Sequence, residues 1–338
     1  MIVAIDTMGG DNAPFSQIEA GISAIDKLGV EVIFLGDEKT IKSKLKDMQL
    51  DSDKISIIHC SENITNDEKP VTAMKRKKNS PFVVGANLVK EKKADAFISS
   101  GSTGALLTAG TLIVGRIKGI LRPALIVAYP TVKKPMILLD LGANANVKPE
   151  YLNQFAFMGS SYSKAIFDTQ NPSVGLVNIG TEETKGSTLY QETHKLLKEN
   201  KKINFYGNVE GRDIPSGVVD VLVCDGFTGN IVLKLTEGVA IGLMKLIKQS
   251  LMSSLKSKIG AMLAKDGLKK VKSKFDYEEY GGAMLIGIDG IVVKAHGSSN
   301  AKAFYYAINQ AKKTYDAKVV DSIKEMAKEF ADVKQEVE

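Results

Sequence analysis

The sequence predicts an α/β protein with three layers, in which helices cover both faces of a mostly parallel sheet. Two observations lead to this α/β/α fold class. Short apolar runs alternate with longer amphipathic runs, which is typical of parallel strands joined by crossover helices. The chain also has no internal repeat and no low-complexity linker. Residues 1–338 are therefore interpreted as one large domain, although Pro130–Pro149 could connect two units.

The elements follow in order from the first residues. In the first predicted helix, Ile18, Ile22 and Ile25 recur at helical spacing on one face. The predicted strands are Ile2–Asp6, Val30–Leu35, Ile55–His59, Ala96–Ile98, Leu125–Ala128, Met136–Leu141, Val174–Ile179, Ile203–Tyr206, Val218–Cys224 and Ile291–Ala295. The predicted helices are Phe15–Leu28, Glu38–Leu50, Phe82–Lys93, one from about Gly104, Glu150–Phe167, Glu182–Asn200, Ile231–Leu251 and Asn300–Phe330.

The composition is that of a folded protein in a reducing compartment. Hydrophobic residues make up 44% of the chain and charged residues 25%, so disorder is not indicated. Cys60 and Cys224 are far apart and no secretory signal precedes them, which favours the cytosol. No apolar run is long enough to span a bilayer. The net charge of +6 permits an acidic partner, an anionic membrane or nucleic acid without selecting one.

Six segments that follow predicted strands share one chemistry. They combine glycine with Ser, Thr, Asn or Asp just before a helix, and are Asp6–Pro14, Ser100–Ala105, Asp140–Asn146, Asn178–Gly186, Asp225–Asn230 and Ala295–Asn300. Ligands of open α/β sheets bind outside the carboxyl ends of the strands. We expect these loops to form one site for a phosphate or an oxyanion. The alternative is that such loops need glycine and helix caps in any case.

The central loop of this set offers the clearest phosphate cradle. Its residues are Ser100, Gly101, Ser102, Thr103 and Gly104, which present backbone N–H groups and hydroxyls at a helix start. No Gly-Lys-Ser/Thr follows, so this is not a Walker A loop. An ordinary capped turn is the alternative. Asn144, in another of the six loops, is predicted to bind phosphate as well.

Two basic side chains in these loops are candidates for chemistry. His296 follows an apolar strand and should lie at its functional end, with a capping role as the alternative. Lys185 is expected near a helix start, where a cation is unfavourable. It therefore pairs with a nearby glutamate or meets an anion in the cleft. His59 and His194 are weaker candidates. Because the histidines are dispersed and no cysteine cluster exists, no metal site is predicted.

Two clusters of basic residues are candidates for docking an acidic partner. Lys75–Lys78 has no interleaved aromatic residues, so nucleic acid is not the expected ligand. Arg116 and Arg122 are two of only four arginines in the chain. Either cluster could equally be a solvated surface.

The stretch from Met252 to Phe275 is the other unusual segment. It alternates leucines and other apolar residues with lysines, and Asp266-Gly267 is the expected turn of a helical hairpin. A basic amphipathic hairpin can lie on an anionic bilayer. A helix pair that covers the core or forms a dimer interface is the alternative.

Taken together, the motifs resemble one family. They are MIVAIDTMGGDNAP, SSGSTGALLTAG, VGRIKGILRPAL, LDLGANAN, NIGTEETKG, CDGFTGNIVLK, YGGAMLIG and KAHGSSN, in collinear order from Met1 to about Ala301. The pattern is similar to that of the bacterial acyl-acyl carrier protein:phosphate acyltransferases, the PlsX family. The resemblance implies a Rossmann-like fold related to phosphotransacetylases and isopropylmalate-type dehydrogenases.

The resemblance also implies an activity and partners. The reaction would be acyl carrier protein thioester plus inorganic phosphate giving acyl phosphate and free carrier, without a cofactor. The product would feed a glycerol-3-phosphate acyltransferase in phospholipid synthesis. The enzyme would be a homodimer in the cytoplasm, peripherally associated with the inner face of the cell membrane. The predicted membrane contacts are apolar residues of the hairpin, namely Leu255, Ile259, Met262, Leu263 and Leu268.

The roles that this reaction requires are assigned to four residues. Asn230 donates to the oxyanion, and Asp225 shapes the turn before it. His296 donates to the oxyanion or protonates the leaving thiolate. Lys185, whose family counterpart is thought to be catalytic, acts as an electrostatic clamp; a covalent acyl-lysine route is less economical.

Three rival functions stay open at this point. The first is a phosphotransacetylase that uses a coenzyme A thioester, which shares the phosphate chemistry. The second is an isopropylmalate-type dehydrogenase, which is disfavoured because no GxGxxG motif opens the chain. The third is a non-catalytic membrane scaffold that recruits lipid enzymes through Met252–Phe275.

Overall fold

A continuous eleven-stranded sheet runs through the computed structural model, which describes residues 1–50, 52–274 and 281–335. The strands are β1 (Ile2–Asp6), β2 (Glu31–Gly36), β3 (Ile55–His59), β4 (Ala96–Ser99), β5 (Ala124–Tyr129), β6 (Met136–Leu139), β7 (Ser173–Asn178), β8 (Asn204–Glu210), β9 (Val221–Val223), β10 (Ala283–Ile286) and β11 (Ile291–Lys294). Their order in the sheet is β3-β2-β1-β4-β11-β10-β5-β6-β9-β7-β8.

Helices cover both faces of this sheet. They are α1 (Phe15–Leu28), α2 (Glu38–Asp47), α3 (Pro70–Arg76), α4 (Pro81–Lys90), α5 (Thr103–Ala109), α6 (Pro149–Phe167), α7 (Thr188–Glu199), α8 (Gly226–Leu251), α9 (Leu255–Leu263), α10 (Lys265–Lys274), α11 (Ala301–Asp316) and α12 (Val319–Gln335). A π-helical turn (Gly110–Val114) continues α5, and a short 3-10 helix (Gly211–Ser216) follows β8. No helix in the described part of the chain is long and apolar enough to cross a membrane.

The two cores lie on opposite faces of the sheet. One core packs α1, α6, α11 and α12 through residues such as Ile18, Phe155 and Phe304. The other packs α4 and α5 through residues such as Phe82 and Leu106. The inner strands are buried on both faces, which explains why the sequence shows them as continuous apolar runs. The predicted three-layer α/β/α class is confirmed.

The direction of the strands changes in the middle of the sheet. β1, β2, β3, β4 and β11 are parallel, and β10 is antiparallel to both β11 and β5. β6 is antiparallel to β5, and β9, β7 and β8 follow β6 in parallel. The strands therefore finish at two ends of the sheet. We call the end where β1, β4 and β11 finish end A, and the end where β6, β9 and β7 finish end B.

Several predicted boundaries are wrong for local reasons. Helix α7 begins at Thr188 rather than at Glu182, because Gly186 has a positive φ of 87°, which a helix cannot contain. Helix α8 begins at Gly226 rather than at Ile231. The predicted helix Asn300–Phe330 is divided in two between Asp316 and Val319. Strand β10 was not predicted, because four residues between glycines give little periodicity.

The hairpin also differs from its prediction. The break between α9 and α10 falls at Ala264, whereas Asp266 and Gly267 lie in the first turn of α10. An acidic residue is favourable there because it complements the helix dipole. Phe275, the last residue of the predicted hairpin, lies outside the described residues.

Candidate functional site

Three of the six predicted loops meet at end A. They follow the adjacent strands β1, β4 and β11, and are Asp6–Pro14, Ser100–Ala105 and Ala295–Asn300; we call them the A loops. The Asp11 amide donates to the Gly297 carbonyl over 2.8 Å. The Ser100 hydroxyl donates to the Gly9 carbonyl over 2.8 Å. Hydrogen bonds between loops thus hold the three segments as one unit.

Asp6 supports this unit from below. Its buried carboxylate accepts from the Ser99 hydroxyl at 2.6 Å and from the Met8 and Gly9 amides at 2.8 and 3.2 Å. Burial raises the pKa of Asp6 more than these hydrogen bonds lower it. The loops are packed closely above it. A Cβ atom at Gly9 would lie 2.6 Å from the amide nitrogen of Gly101.

The loop after β4 presents unsatisfied donors. The Gly101 amide donates to the Ser99 hydroxyl, and the Ser102 hydroxyl caps α5 by accepting from the Ala105 amide. Among residues 1–50, 52–274 and 281–335, no group accepts from the amides of Ser102, Thr103 and Gly104. Such orphan amides at a helix start are suited to an anion.

His296 lies beside this loop and meets α8. Its Nε2 atom is 3.4 Å from the Lys234 ammonium, and its Nδ1 atom is 2.8 Å from the Ser298 hydroxyl. Lys234 in turn pairs with Glu237 at 2.7 Å. Partial burial, followed by the charge of Lys234, lowers the pKa of His296 below its ordinary 6.5. The imidazole is therefore neutral at neutral pH, and can accept a proton or donate one hydrogen bond.

Lys294 is a second basic group at end A. It is the last residue of β11 and is partly buried. Its ammonium donates to the Ser100 carbonyl at 3.3 Å and to the Ala295 carbonyl. Burial is the main cause that lowers its pKa to about 8; the nearby Asp6 opposes this effect and Lys234 adds to it.

The sequence analysis missed Lys294, Lys234 and Asp6. A signal existed for each of them. Lys294 is the one charged residue of an otherwise apolar strand, two positions before His296. Lys234 follows Asn230 by four residues, which places both on one face of a helix. Asp6 ends an apolar strand that leads into a glycine-rich loop.

The other three loops lie at end B and are closed by their own hydrogen bonds. They are Asp140–Asn146, Asn178–Gly186 and Asp225–Asn230; we call them the B loops. Asp140 is buried and accepts from the amides of Leu125, Ala143 and Asn144. Burial raises the pKa of Asp140 in spite of these bonds. The Asn144 side-chain amide donates to the Pro123 carbonyl and to Asp140.

Asp225 closes the third B loop as the N-cap of α8. It accepts from the Thr228 amide at 2.9 Å and from the Tyr190 hydroxyl at 2.5 Å. Burial alone would raise its pKa, but these hydrogen bonds lower it on balance. Lys185 lies in the second B loop, three residues before α7, and is exposed. No described residue forms an ion pair with its ammonium group.

Helix α8 connects the two ends of the sheet. It begins at Asp225 in the B loops, and nine residues later Lys234 contacts His296 in the A loops. Asn230 lies one helical turn before Lys234, on the same face, and is exposed. At a rise of about 1.5 Å per residue, Asn230 is displaced by roughly 6 Å along the axis from Lys234. A Cβ atom at Gly142 would lie 3.9 Å from the Cβ of Asn230, so Asn230 lies against the B loops, one helical turn from the lysine that contacts His296.

The six loops do not all lie at one end of the sheet, as the sequence analysis expected; they lie at two ends that α8 connects. The structure brings Ser100–Gly104 and His296 together at end A. It places Asn144, Lys185 and Asp225 at end B, because the sheet reverses direction between β11 and β6. Asn144 is therefore not next to Ser100–Gly104, and its side-chain amide nitrogen donates within its own loop to Asp140. Asp225 has the turn-shaping position that was expected. In the described ranges, no group of His, Cys, Asp or Glu side chains has the arrangement of a metal site.

The fold and the A loops define the class of protein. The chain resembles a phosphotransacetylase from Streptococcus pyogenes with a TM-score of 0.65, at 17% identity over 93% of this chain and 94% of that one. It also resembles a 4-hydroxythreonine-4-phosphate dehydrogenase from Klebsiella pneumoniae with a TM-score of 0.51, at 11% identity over 92% and 98%. The architecture is thus that of the phosphotransacetylases and related dehydrogenases, as predicted.

Sequence comparison then gives the family. Residues 1–322 match the family described as fatty acid synthesis protein. The chain is 50% identical to a phosphate acyltransferase from Alkaliphilus oremlandii over 98% of this chain and 99% of that one. It is 49% identical to a phosphate acyltransferase from Clostridioides difficile over 98% and 97%. The chain belongs to this family, which confirms the resemblance drawn from its motifs, and it is an acyltransferase enzyme of lipid synthesis.

Proposed function

We propose that the enzyme transfers a long-chain acyl group from acyl carrier protein to inorganic phosphate. The observation that carries this proposal is the row of unsatisfied amides at Ser102, Thr103 and Gly104, with His296 beside it. The relatives' name, phosphate acyltransferase, agrees with phosphate as the acceptor. Acyl carrier protein as the donor is the finer part of the proposal and rests on the family resemblance.

The reaction requires the protein mainly to position phosphate and the thioester. Inorganic phosphate is anionic near neutral pH and needs no strong base. One phosphate oxygen attacks the thioester carbonyl, the carbon–sulfur bond breaks, and the sulfur leaves as a thiolate that takes up a proton. The tasks are to hold phosphate against the carbonyl and to stabilise the tetrahedral oxyanion. Neutral amide donors hold phosphate without quenching it as a tight salt bridge would.

We assign the remaining roles by position. Neutral His296 donates a hydrogen bond to the oxyanion, or it takes the proton that the attacking phosphate loses and passes that proton to the leaving sulfur. Asn230, on the face of α8 that leads to Lys234, donates to the oxyanion. Lys185 approaches from end B as an electrostatic clamp that has no ion-pair partner among described residues. Asp225 acts indirectly, since its carboxylate fixes the start of α8.

The acidic carrier is proposed to dock on α3. Lys75 and Arg76 at its end and Lys78 just after it are exposed, whereas Lys77 forms an ion pair with Glu68. Helix α3 begins beside the phosphate loop, since a Cβ at Gly104 would lie 3.0 Å from Pro70. The Arg116–Arg122 segment is a poorer candidate, because it precedes β5, which begins at end B, away from the A loops. Opposite charge at α3 would mainly raise the association rate.

The hairpin is proposed to contact the membrane. On α9, Leu255, Ile259, Met262 and Leu263 are 79%, 53%, 68% and 82% exposed, and α9 has no buried residue. Leu268 on α10 is partly buried. The alternative that the hairpin covers the core is not supported by this exposure. An apolar face flanked by lysines suits the surface of an anionic bilayer.

A homodimer is proposed to form along α8. Phe227, Ile231, Leu235 and Val239 are spaced by four residues and are 65%, 48%, 64% and 58% exposed. A helix with such a continuous apolar stripe is normally covered by another surface. A second copy of α8 would cover it and would place two hairpins side by side. The enzyme would then act in the cytoplasm at the inner face of the membrane, where a glycerol-3-phosphate acyltransferase takes the acyl phosphate.

The proposed reaction is tested by trapping acyl phosphate with hydroxylamine. Purified protein is supplied with inorganic phosphate and a long-chain acyl carrier protein thioester, and in parallel with the matching coenzyme A thioester. Phosphate-dependent acyl hydroxamate from the carrier substrate is the expected result. Product only from coenzyme A would replace this function with that of a phosphotransacetylase. No product from either donor would favour a non-catalytic scaffold.

A further inference from the structure

Lys294 is a basic group at end A that the proposed mechanism does not use. It lies between β1 and α8, at the carboxyl end of the strand next to β4. Its ammonium is held by the Ser100 and Ala295 carbonyls. Partial burial of an ammonium is unfavourable unless it is paired or hydrogen-bonded. The fold nevertheless places this group directly behind the phosphate loop.

The surroundings of Lys294 contain both signs of charge. Asp6 faces it from β1, and Lys234 faces it from α8. The neighbouring His296 is acted on by Lys234, Glu237, Lys294 and Asp11, and Cys60 lies near Asp6. Asp6 is already engaged by Ser99, Met8 and Gly9. No ion pair joins Asp6 to Lys294 among the described residues, so the Lys294 charge is neutralised only in part, and an anion at the loop would add a counter-charge.

We infer that Lys294 is a phosphate-positioning residue of the acyl transfer: it fixes the Ser100 carbonyl and supplies positive charge to phosphate bound at the amides of Ser102–Gly104. This inference rests on the proposed function. A lysine that donates to the Ser100 carbonyl holds this loop against β11, so that the amides that follow Ser100 stay available to an anion. Its charge acts through a poorly solvated region, where it is screened less than on the surface.

The pKa of Lys294, lowered to about 8, gives this inference a distinctive signature. Below pH 8 the ammonium is charged and phosphate binding is intact. Above pH 8 the proton is lost and the affinity for phosphate should fall. Arginine stays charged throughout this range, so Lys294→Arg should remove that alkaline decline even if its overall rate is lower.

The test measures initial rates against phosphate concentration from pH 6.5 to 9.5, with free carrier separated from acyl carrier by electrophoresis. For Lys294→Met we expect the KM for phosphate to rise at least tenfold, with the KM for acyl carrier protein unchanged. Lys294→Arg should restore part of the affinity for phosphate and should remove the fall in that affinity above pH 8. Lys27→Met, at the far end of α1 where Lys27 stacks on Tyr305, is the matched control and should behave as wild type.

The outcomes separate this inference from the proposed function. If wild-type protein forms no acyl phosphate, the proposed function fails. If wild type is active and both KM values rise equally in Lys294→Met, or kcat alone falls, Lys294 only supports the fold. If Lys294→Met does not fold, the pH profile of Lys294→Arg decides. If the affinity of Lys294→Arg for phosphate falls above pH 8 as it does in wild type, the inference is overturned.

Discussion

The A loops and the B loops have nearly the same composition but different structures. At end A, the amides of Ser102–Gly104 have no acceptor among described residues, and Lys294 and His296 stand beside them. At end B, Asp140 and Asp225 consume the donors that surround them. Glycine with Ser, Asn or Asp therefore serves two purposes in one molecule. At one end it leaves donors open to an anion, and at the other it closes loops and caps a helix.

The largest expected effect is at His296. His296→Ala removes the group that donates to the oxyanion or protonates the sulfur, so kcat should fall by about 100-fold or more. The thermal midpoint should stay close to that of wild type, because the side chain is exposed. Single-turnover assays would measure the chemical step directly.

Lys185→Ala and Asn230→Ala should also lower kcat by orders of magnitude. Near-normal rates in these two variants and in His296→Ala would place the site elsewhere.

Gly9→Ala should have the next largest effect on activity. The added Cβ would lie 2.6 Å from the Gly101 amide nitrogen, so the A loops must move apart. A displacement of about 1 Å at a reacting group can cost about 100-fold in rate. We expect kcat/KM for phosphate to fall by about this factor. Gly211→Ala, at a glycine with open space around its Cβ position, is the control and should be silent.

Asp140→Asn should affect stability instead of chemistry. The NH2 group of the new side chain would face either the amides of Leu125 and Ala143, which now donate to Oδ1, or the donors of Asn144, which now donate to Oδ2. Disruption of buried hydrogen bonds of this kind costs about 1–3 kcal/mol. Urea unfolding should show that loss, while the KM for phosphate measured on folded protein stays unchanged. A tenfold rise in that KM would mean that end B also binds phosphate.

The sequence could predict the fold class but not the division between the two ends. Buried strands such as Ala96–Ile98 can be predicted from apolar runs, and the helices between them from the helical spacing of their apolar residues. Which strands reverse direction depends on pairing across the sheet. One signal was available: the predicted strands Leu125–Ala128 and Met136–Leu141 are separated by seven residues. Parallel strands need a longer crossover, so these two had to be antiparallel.

The site was predictable to a similar extent. Ser100–Gly104 and His296 could be chosen because glycines and a histidine follow apolar strands. Lys294 could not be ranked above the many other lysines of the chain, because its burial comes from packing between β4, β11 and α8. Asn144 and Ser102 look equivalent in sequence. Both side chains are used within their own loops, and only the structure shows that the backbone amide of Asn144 is bound by Asp140 whereas that of Ser102 is open.

The smallest expected effect on chemistry is at the hairpin, far from both sets of loops. Leu255→Glu with Leu263→Glu places charge on the exposed face of α9, so binding to anionic vesicles should be lost. Turnover of acyl carrier protein in solution should stay within about twofold of wild type. Lys256→Gln with Lys258→Gln is a matched pair that keeps the apolar face. Unchanged sedimentation of the double Glu variant with vesicles would assign the hairpin to protein packing.

The central claim is that end A binds phosphate and end B does not. Hydrogen exchange, followed by mass spectrometry with and without inorganic phosphate, tests both ends in one experiment. Phosphate should slow exchange in a peptide that covers 99–106, where the open amides lie, and leave a peptide that covers 140–146 unchanged. Protection of 140–146 with none at 99–106 would contradict the account and move the phosphate site to end B.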